Sequence, residues 1–225
     1  MKSIKVLLVL LALSAFAATA AADTLSLTGV NGNVNSSGQV YISPYYGQVV
    51  SPSNPQIPQS PTGINIYCVD PTHESYTNTT WNVDVTNLIT GNLSHTRLGK
   101  AGLVTYEEMA YLYFDTGYLG KTVTLATQQA IQAAVWYLAS PGNQYGADNS
   151  WVTQAINNYQ NFNYSYVYIL TDINSLSSNQ TTVLNANQEF MIQTPEPVSL
   201  VFMGTGLAGL AGNWLRRRRG GQKAA

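Results

Sequence analysis

The residues from Thr124 to Ala139 read TLATQQAIQAAVWYLA, and they decide the fold class of this chain of 225 residues. Their apolar side chains recur at helical spacing and give the segment one broad apolar face. The pattern ends at Ser140-Pro141-Gly142, residues that are typical of a turn. The segment therefore predicts a helix that packs on a core, and it is the strongest helical pattern in the chain.

Two weaker helical patterns flank this helix. One runs from Leu103 toward Phe114, and the other runs from Ser150 to Tyr159. Thr105 followed by Glu108 has the spacing of a capping box, in which each side chain accepts a hydrogen bond from the other residue's main-chain N–H. We therefore expect the first of these helices to begin at this pair.

Strand patterns lie on both sides of the helical region. They are rich in β-branched and aromatic residues, and they cover Leu25–Val30, Gln39–Ile42, Ile64–Val69, Trp81–Val85, Tyr164–Leu170 and Glu189–Ile192. The segment from Ser43 to Pro61 contains five prolines and is predicted to be a loop that is in part extended. Strands, then helices, then strands predict an α+β fold, with β-sandwich or barrel-like strands and an inserted helical subdomain.

Cys68 is the only cysteine of the chain, so it cannot form a disulfide within it. It lies in the strand pattern Ile66-Tyr67-Cys68-Val69-Asp70, and the strong helix carries Ile131-Gln132-Ala133-Ala134-Val135-Trp136. Trp136 follows Gln132 by one helical turn and lies on the same face. Taken singly, the two motifs are most simply a core strand and a core helix, with Cys68 as a small packing residue.

Together the two motifs resemble those of bacterial Cys-Gln thioester domains of the TQxA type, which occur in surface adhesins chiefly of Gram-positive bacteria. In that family an aromatic-Cys-apolar-acidic strand faces a helix that reads Gln-x-Ala-Ile/Val-Trp. The resemblance implies that Cys68 is the thioester sulfur and Gln132 the acyl donor, with Tyr67, Asp70 and Trp136 flanking the bond. It also implies one covalent reaction with an amine-bearing surface or matrix ligand, so we expect neither enzymatic turnover nor a cofactor.

The chemistry of such a pair requires rigid contact between the two groups. A carboxamide is a poor electrophile, and only a held geometry, with effective molarities on the order of 10⁵ M, makes its reaction with a thiol feasible. Attack by Cys68 on Gln132 would expel ammonia, while main-chain N–H groups support the transient oxyanion. The segment Thr127-Gln128-Gln129-Ala130 is a frame-shifted match that lacks the Ile-Trp ending, so Gln128 is an alternative acyl donor.

Other groupings of reactive residues are less specific. Cys68 with His73 or His95 would form a thiol-protease pair, but no signature of such a family surrounds them. Asp70, His73 and Glu74 could gather around a metal, yet a second histidine at ligand spacing is missing, and a solvated loop is the better interpretation. We therefore predict no metal site.

The C-terminal segment consists of three parts in a defined order. The triplet Pro195-Glu196-Pro197 comes first, an uncharged apolar stretch covers residues 198–215, and the arginines Arg216, Arg217, Arg218 and Arg219 follow. Eighteen residues at about 1.5 Å each make roughly 27 Å of helix, close to the hydrocarbon thickness of a bilayer. The pattern predicts a C-terminal transmembrane helix with a basic stop at 216–219, whose arginines stay in the cytoplasm and leave the preceding domain outside.

This order of motif, span and basic stop resembles the PEP-CTERM sorting signal of exported proteins in Gram-negative, exopolysaccharide-producing bacteria. The resemblance implies that an integral-membrane exosortase recognises the tail and cleaves near the triplet. Pro195, Glu196 and Pro197 would then be substrate residues. The alternative is an ordinary single-pass anchor, in which the triplet only ends the preceding strand.

The N-terminus agrees with export. Lys2 and Lys5 precede an apolar run from Val6 to Phe16, and Ala20-Ala21-Ala22 offers a cleavage site of small residues. We therefore predict a signal peptide over 1–22, one extracytoplasmic thioester-like domain over 23–193 and a sorting tail over 194–225. The domain would first be anchored in the inner membrane, and after processing it would belong to the cell surface or extracellular matrix.

The charge of the predicted domain narrows the choice of partner. Between Asp23 and Thr194 three basic residues stand against ten acidic ones, a formal charge of −7, although the whole chain carries −1. This balance argues against nucleic acid. The abundant Asn, Gln, Ser, Thr and Tyr residues suit an exopolysaccharide. The alternative function is therefore a non-covalent structural or exopolysaccharide-binding envelope protein.

Overall fold

The computed structural model describes residues 23–50, 57–58, 63–116, 123–146, 149–176 and 186–195. The predicted signal peptide 1–22, the transmembrane stretch 198–215 and the arginines 216–219 lie outside the described residues, as do Glu196 and Pro197 of the triplet. Within the described ranges no helix combines the length and the apolar character needed to cross a bilayer.

Among the residues that the structure describes, six antiparallel strands close into a barrel in the order β1-β2-β3-β6-β5-β4. The strands are β1 (Asp23–Val30), β2 (Tyr45–Val50), β3 (Ile64–Cys68), β4 (Thr79–Asn87), β5 (Val167–Asp172) and β6 (Phe190–Gln193). Along β1 and β2 buried residues alternate with more exposed ones, as expected for strands with one face toward a core. The interior is filled by side chains such as Leu25, Ile66 and Phe190, each fully buried.

In the described part of the chain, three helices lie between β4 and β5. They are α1 (Leu103–Ala110), α2 (Leu125–Ala139) and α3 (Asn149–Asn158), and a π-helical turn over Tyr111–Asp115 continues α1. Single 3₁₀ turns cover Leu93–His95, Lys100–Gly102, Tyr159–Asn161, Tyr164–Tyr166 and Ile173–Leu176. Every residue of β5 is buried, which is expected of a strand covered on both faces. The prediction of an α+β fold with barrel-like strands and an inserted helical subdomain is confirmed.

The strong helix begins where its sequence predicts. Thr124 is its N-cap, and the Thr124 hydroxyl accepts a hydrogen bond from the N–H of Thr127 at 3.2 Å. The capping-box prediction is wrong, because α1 begins at Leu103 with Gly102 as its N-cap and Thr105 lies inside the helix.

Of two predictions for the region between β1 and β3, one is wrong and the other is wrong in part. Gln39–Ile42 is not a strand but part of a hairpin tip, in which the Asn35 side chain accepts hydrogen bonds from the N–H groups of Gln39 and Val40. The proline-rich segment contains β2, whose Tyr45 and Val49 point inward. Pairing with β1 and β3 overrides the local preference for a loop, because β2 supplies the strand between them.

Candidate functional site

The barrel and the helical layer bring Cys68, Gln132 and Trp136 together in a buried site. Cys68 is the last residue of β3, and Gln132 and Trp136 lie one turn apart in the middle of α2. None of the three exposes more than 1% of its surface. Because β3 packs against this helix, the two sequence motifs meet as the predicted strand and helix pair.

The Gln132 carboxamide is held by main-chain groups at both of its polar atoms. Its Nε2 donates a hydrogen bond to the carbonyl oxygen of Cys68 at 3.1 Å. Its Oε1 accepts a hydrogen bond from the N–H of Ser43 at 2.9 Å. A buried amide must satisfy these groups, and here both partners position it directly beside Cys68.

Ser43 and Tyr113 complete the network around Cys68. The N–H of Cys68 donates to Ser43 Oγ at 2.9 Å, and the Tyr113 hydroxyl donates to the Cys68 carbonyl oxygen at 2.5 Å. Neither residue was predicted from the sequence. Ser43 lies in the segment that reads as a proline-rich loop, and Tyr113 lies among the apolar residues of a weak helix pattern, so no local signal marks either one.

The Cys68 thiol is strongly held in its neutral form. Burial raises the pKa of Cys68 to about 12, and the nearby Asp70 charge adds to this shift. The thiol donates a hydrogen bond to the main-chain carbonyl of Asp70 at 3.3 Å. A thiolate is therefore costly here, whereas an uncharged sulfur, as in a thiol or a thioester, suits the site.

The indole N–H of Trp136 opposes the rise in the Cys68 pKa, as do the main chain of Asp70 and the charge of Arg97. Its Nε1 is buried and has no conventional hydrogen-bond partner within the described part of the chain. Its closeness to the sulfur nevertheless lowers the Cys68 pKa, because a thiolate would accept this N–H far better than the neutral thiol does. Trp136 therefore borders the sulfur directly, as the thioester resemblance implies.

The aromatic ring of Trp136 is covered in turn by Tyr145. The two ring centroids are 4.6 Å apart, and Tyr145 belongs to the loop that follows α2. The pair covers the site from the side of this helix, where Trp136 is only 1% exposed.

Asp70 is not part of a solvated loop, and that interpretation is wrong for this residue. Only 3% of its side chain is exposed, and Oδ2 lies 2.9 Å from Arg97 Nε and 3.0 Å from His73 Nδ1. Arg97 follows Asp70 by twenty-seven positions, so no local pattern predicts the pair. Among the described residues no group of His, Cys, Asp and Glu side chains is arranged to hold a metal ion.

The remaining predicted residues have other contacts. Tyr67 packs on Tyr113 and Phe114, with ring centroids 4.9 and 5.4 Å apart, so it braces the helical layer against β3. His95 Nδ1 lies 2.5 Å from Asp84 Oδ2. The carboxylate of Glu74 accepts a hydrogen bond from the hydroxyl of Tyr76 at 2.7 Å. Pro195 of the triplet lies just after β6, while Glu196 and Pro197 lie outside the described residues.

The structure also discriminates between the two candidate glutamines. Gln128 accepts a hydrogen bond from Asn33 Nδ2 at 2.5 Å, and the neighbouring Gln129 donates to the carbonyl of Val34 at 2.9 Å. Both contacts are to the hairpin between β1 and β2. Gln132 is the glutamine beside Cys68, and Gln128 is not.

Comparisons with protein-family models, with curated proteins and with solved structures found no match to this chain. Its function is therefore inferred from the geometry and chemistry of the Cys68–Gln132 site and from the sequence at the two ends of the chain.

Proposed function

We propose that the chain is an exported bacterial surface or matrix protein that attaches covalently to its ligand through a thioester between Cys68 and Gln132. The observation that carries the proposal is the Gln132 carboxamide, which is held between the Ser43 N–H and the Cys68 carbonyl. This contact holds a weak electrophile against the main chain of the residue that carries the only thiol of the chain. Such positioning is what the reaction needs.

The proposed reaction has two steps. In the first, Cys68 Sγ bonds to the Gln132 carbonyl carbon, the C–N bond breaks, and the nitrogen leaves as ammonia with the thiol proton. In the second, a ligand amine attacks the same carbon, an amide forms, and Cys68 regains its proton as a free thiol. The protein is consumed by this second step, so it acts once and not as an enzyme.

The ends of the chain supply the location. A signal peptide over 1–22 directs export, and the sorting tail over 194–225 holds the domain at the inner membrane until an exosortase releases it to the surface or matrix. Cys68 pairs with Phe190 at the start of β6, and the chain leaves the barrel at the other end of that strand, after Gln193. Cys68 and the residue after which the tail begins therefore lie at opposite ends of this strand.

A second function is favoured by the closed state of the site. Because Cys68 is fully buried, it would also serve as a packing residue in a non-covalent structural or exopolysaccharide-binding protein. An exopolysaccharide would then be bound by the uncharged polar surface, and the Gln132 hydrogen bonds would only stabilise the fold.

Intact mass spectrometry of the purified full-length chain tests the covalent function. We expect a mass deficit of one ammonia in the wild type and in Gln128→Ala, the matched control on the same helix face. Cys68→Ala and Gln132→Ala should both lack the deficit. A wild-type protein with unmodified mass would contradict the thioester and leave the non-covalent function.

The tail needs its own measurement. In spheroplasts, added protease should digest the domain while cytoplasmic proteins remain intact, and changing Pro195, Glu196 and Pro197 to Ala should leave the tail attached. Digestion of the domain only after lysis would contradict the proposed orientation.

A further inference from the structure

The hairpin between β1 and β2 delivers Ser43 to the reaction centre. Ser43 is fully buried and follows the equally buried Ile42. Two side-chain hydrogen bonds attach the hairpin to the helix that carries Gln132. Asn33 donates one to Gln128, and Gln129 donates the other to the carbonyl oxygen of Val34. The hairpin therefore keeps a fixed position relative to the acyl donor.

Ser43 contacts both reaction partners, in opposite directions. Its main-chain N–H donates to Gln132 Oε1 at 2.9 Å, and its Oγ accepts from the N–H of Cys68 at 2.9 Å. One residue thus holds the carbonyl that is attacked and the main chain of the nucleophile. Its separation from Gln132 by eighty-nine positions hides this role from the sequence.

The charge in the proposed reaction develops on the atom that Ser43 already contacts. When sulfur adds to the Gln132 carbonyl carbon, the electron pair of the C=O bond moves to Oε1, which becomes an oxyanion. The later attack by an amine places negative charge on the same oxygen. A main-chain N–H fixed in a dry site stabilises this charge without reorganisation.

We propose that the Ser43 N–H is the oxyanion donor of the Cys68–Gln132 reaction and that the Ser43 hydroxyl positions Cys68. The inference rests on the proposed thioester, since it assigns a role within that reaction. Ser43 belongs to neither of the two motifs that indicated the site.

Replacement of the main-chain N–H by an ester oxygen tests the donor. Full-length protein is synthesised in a cell-free system with the α-hydroxy analogue of serine at position 43. It is unfolded in ammonium buffer, which opens any thioester and restores the Gln132 amide, and then refolded without ammonia. The loss of one ammonia from the intact mass reports formation of the thioester, which we call ring closure. Tryptophan fluorescence reports folding.

The matched control is the same ester substitution at Ile42. The N–H of Ile42 donates to the carbonyl of Asn33 at 3.1 Å, so this change removes a hairpin hydrogen bond without touching Gln132. In the protein with the ester at residue 43 we expect ring closure to be slower by about 100-fold or more, which is the usual effect of losing an oxyanion donor. The protein with the ester at residue 42 should close near the wild-type rate.

A pair of side-chain variants tests the positioning role independently of the ester. Ser43→Ala keeps the N–H but leaves the Cys68 N–H without its acceptor, so closure should slow by roughly tenfold. Ser43→Thr restores a hydroxyl and should restore most of the rate.

The outcomes separate the two proposals. If the wild type never loses ammonia, the thioester and the role of Ser43 are both overturned. If the wild type closes and both esters close equally fast, the donor role alone is overturned. Equal closure rates in the wild type, Ser43→Ala and Ser43→Thr would overturn the positioning role.

Discussion

Arg97 Nε lies 2.9 Å from Asp70 Oδ2, and this contact joins the loop after Cys68 to the segment that leads into α1. The contact lacks hydrogen-bond geometry at Nε, so its attraction is that of an ion pair. Burial by itself raises the pKa of Asp70, but the hydrogen bond to His73 and the Arg97 charge outweigh it and hold that pKa below its ordinary value. The main-chain carbonyl of Asp70 accepts a hydrogen bond from the Cys68 thiol, so the ion pair also positions the Cys68 sulfur.

Arg97→Met should destabilise the fold at neutral pH because it leaves a buried carboxylate without its cation. We expect the free energy of unfolding to fall by about 3 kcal/mol at pH 7. Since the folded pKa of Asp70 is depressed, its contribution is complete above the unfolded value of about 3.9 and is lost as the pH falls through the folded pKa. The difference between variant and wild type should therefore shrink toward pH 3.

Denaturant titrations at several pH values measure this effect, and Lys100→Met, which removes an exposed cation, is the control. A constant difference across the pH range would show that Arg97 acts through packing and not through its charge.

Glu189 should give the opposite pH dependence. Burial raises its pKa, although hydrogen bonds from Thr171, Tyr106 and the Arg97 main chain oppose the shift. A raised folded pKa means that ionisation opposes folding, so stability is lost as the pH rises from the unfolded pKa of about 4.3 through the folded value. Glu189→Gln should therefore melt higher than the wild type at pH 8 and show no such gain at pH 4.

Melting temperatures of Glu189→Gln and of Glu74→Gln, a change at an exposed carboxylate, provide the comparison. A lower melting temperature of Glu189→Gln at pH 8 would mean that the charged hydrogen bonds outweigh the cost of burying the charge.

Access to the proposed thioester should depend on the contact between Trp136 and Tyr145. An aromatic pair of this kind contributes about 1 kcal/mol, so Tyr145→Ala should favour opening of the site and speed methylamine capture by roughly fivefold. Capture is followed as the mass gain of one methylamine. Tyr76→Ala, at a tyrosine that is 65% exposed, should leave the rate unchanged. Equal rates in all three proteins would place the entrance elsewhere.

Gly47 of β2 lies close against the side chains of Ile66 and Leu25 on the neighbouring strands. A Cβ at this position would lie 2.8 Å from Ile66 Cδ1, so Gly47→Ala should cost about 1–3 kcal/mol of unfolding free energy. Ile66→Val removes that Cδ1 atom, and the double variant should recover part of the loss. Additive effects of the two changes in a double-mutant cycle would contradict this packing.

The helices could be predicted well because their signals are local. The apolar period and the Thr124 cap specify α2, and the fold class follows from the order of the elements. The strand β2 could not be predicted, since its neighbours in sequence include many prolines and its stability comes from pairing with β1 and β3. The capping-box prediction failed because Thr105 and Glu108 have the right spacing but lie within a helix that begins earlier.

By itself the sequence determined an α+β domain, a single thiol in a strand, and a helix that carries candidate acyl donors. Only the tertiary structure decided which glutamine meets Cys68. Gln128 and Gln132 lie one turn apart on the same helix face, so helical periodicity treats them alike, and the choice depends on how α2 is placed against β3. The tertiary structure also brought Ser43 to the site. The sequence could not show this, because contacts between residues far apart in sequence leave no pattern along the chain.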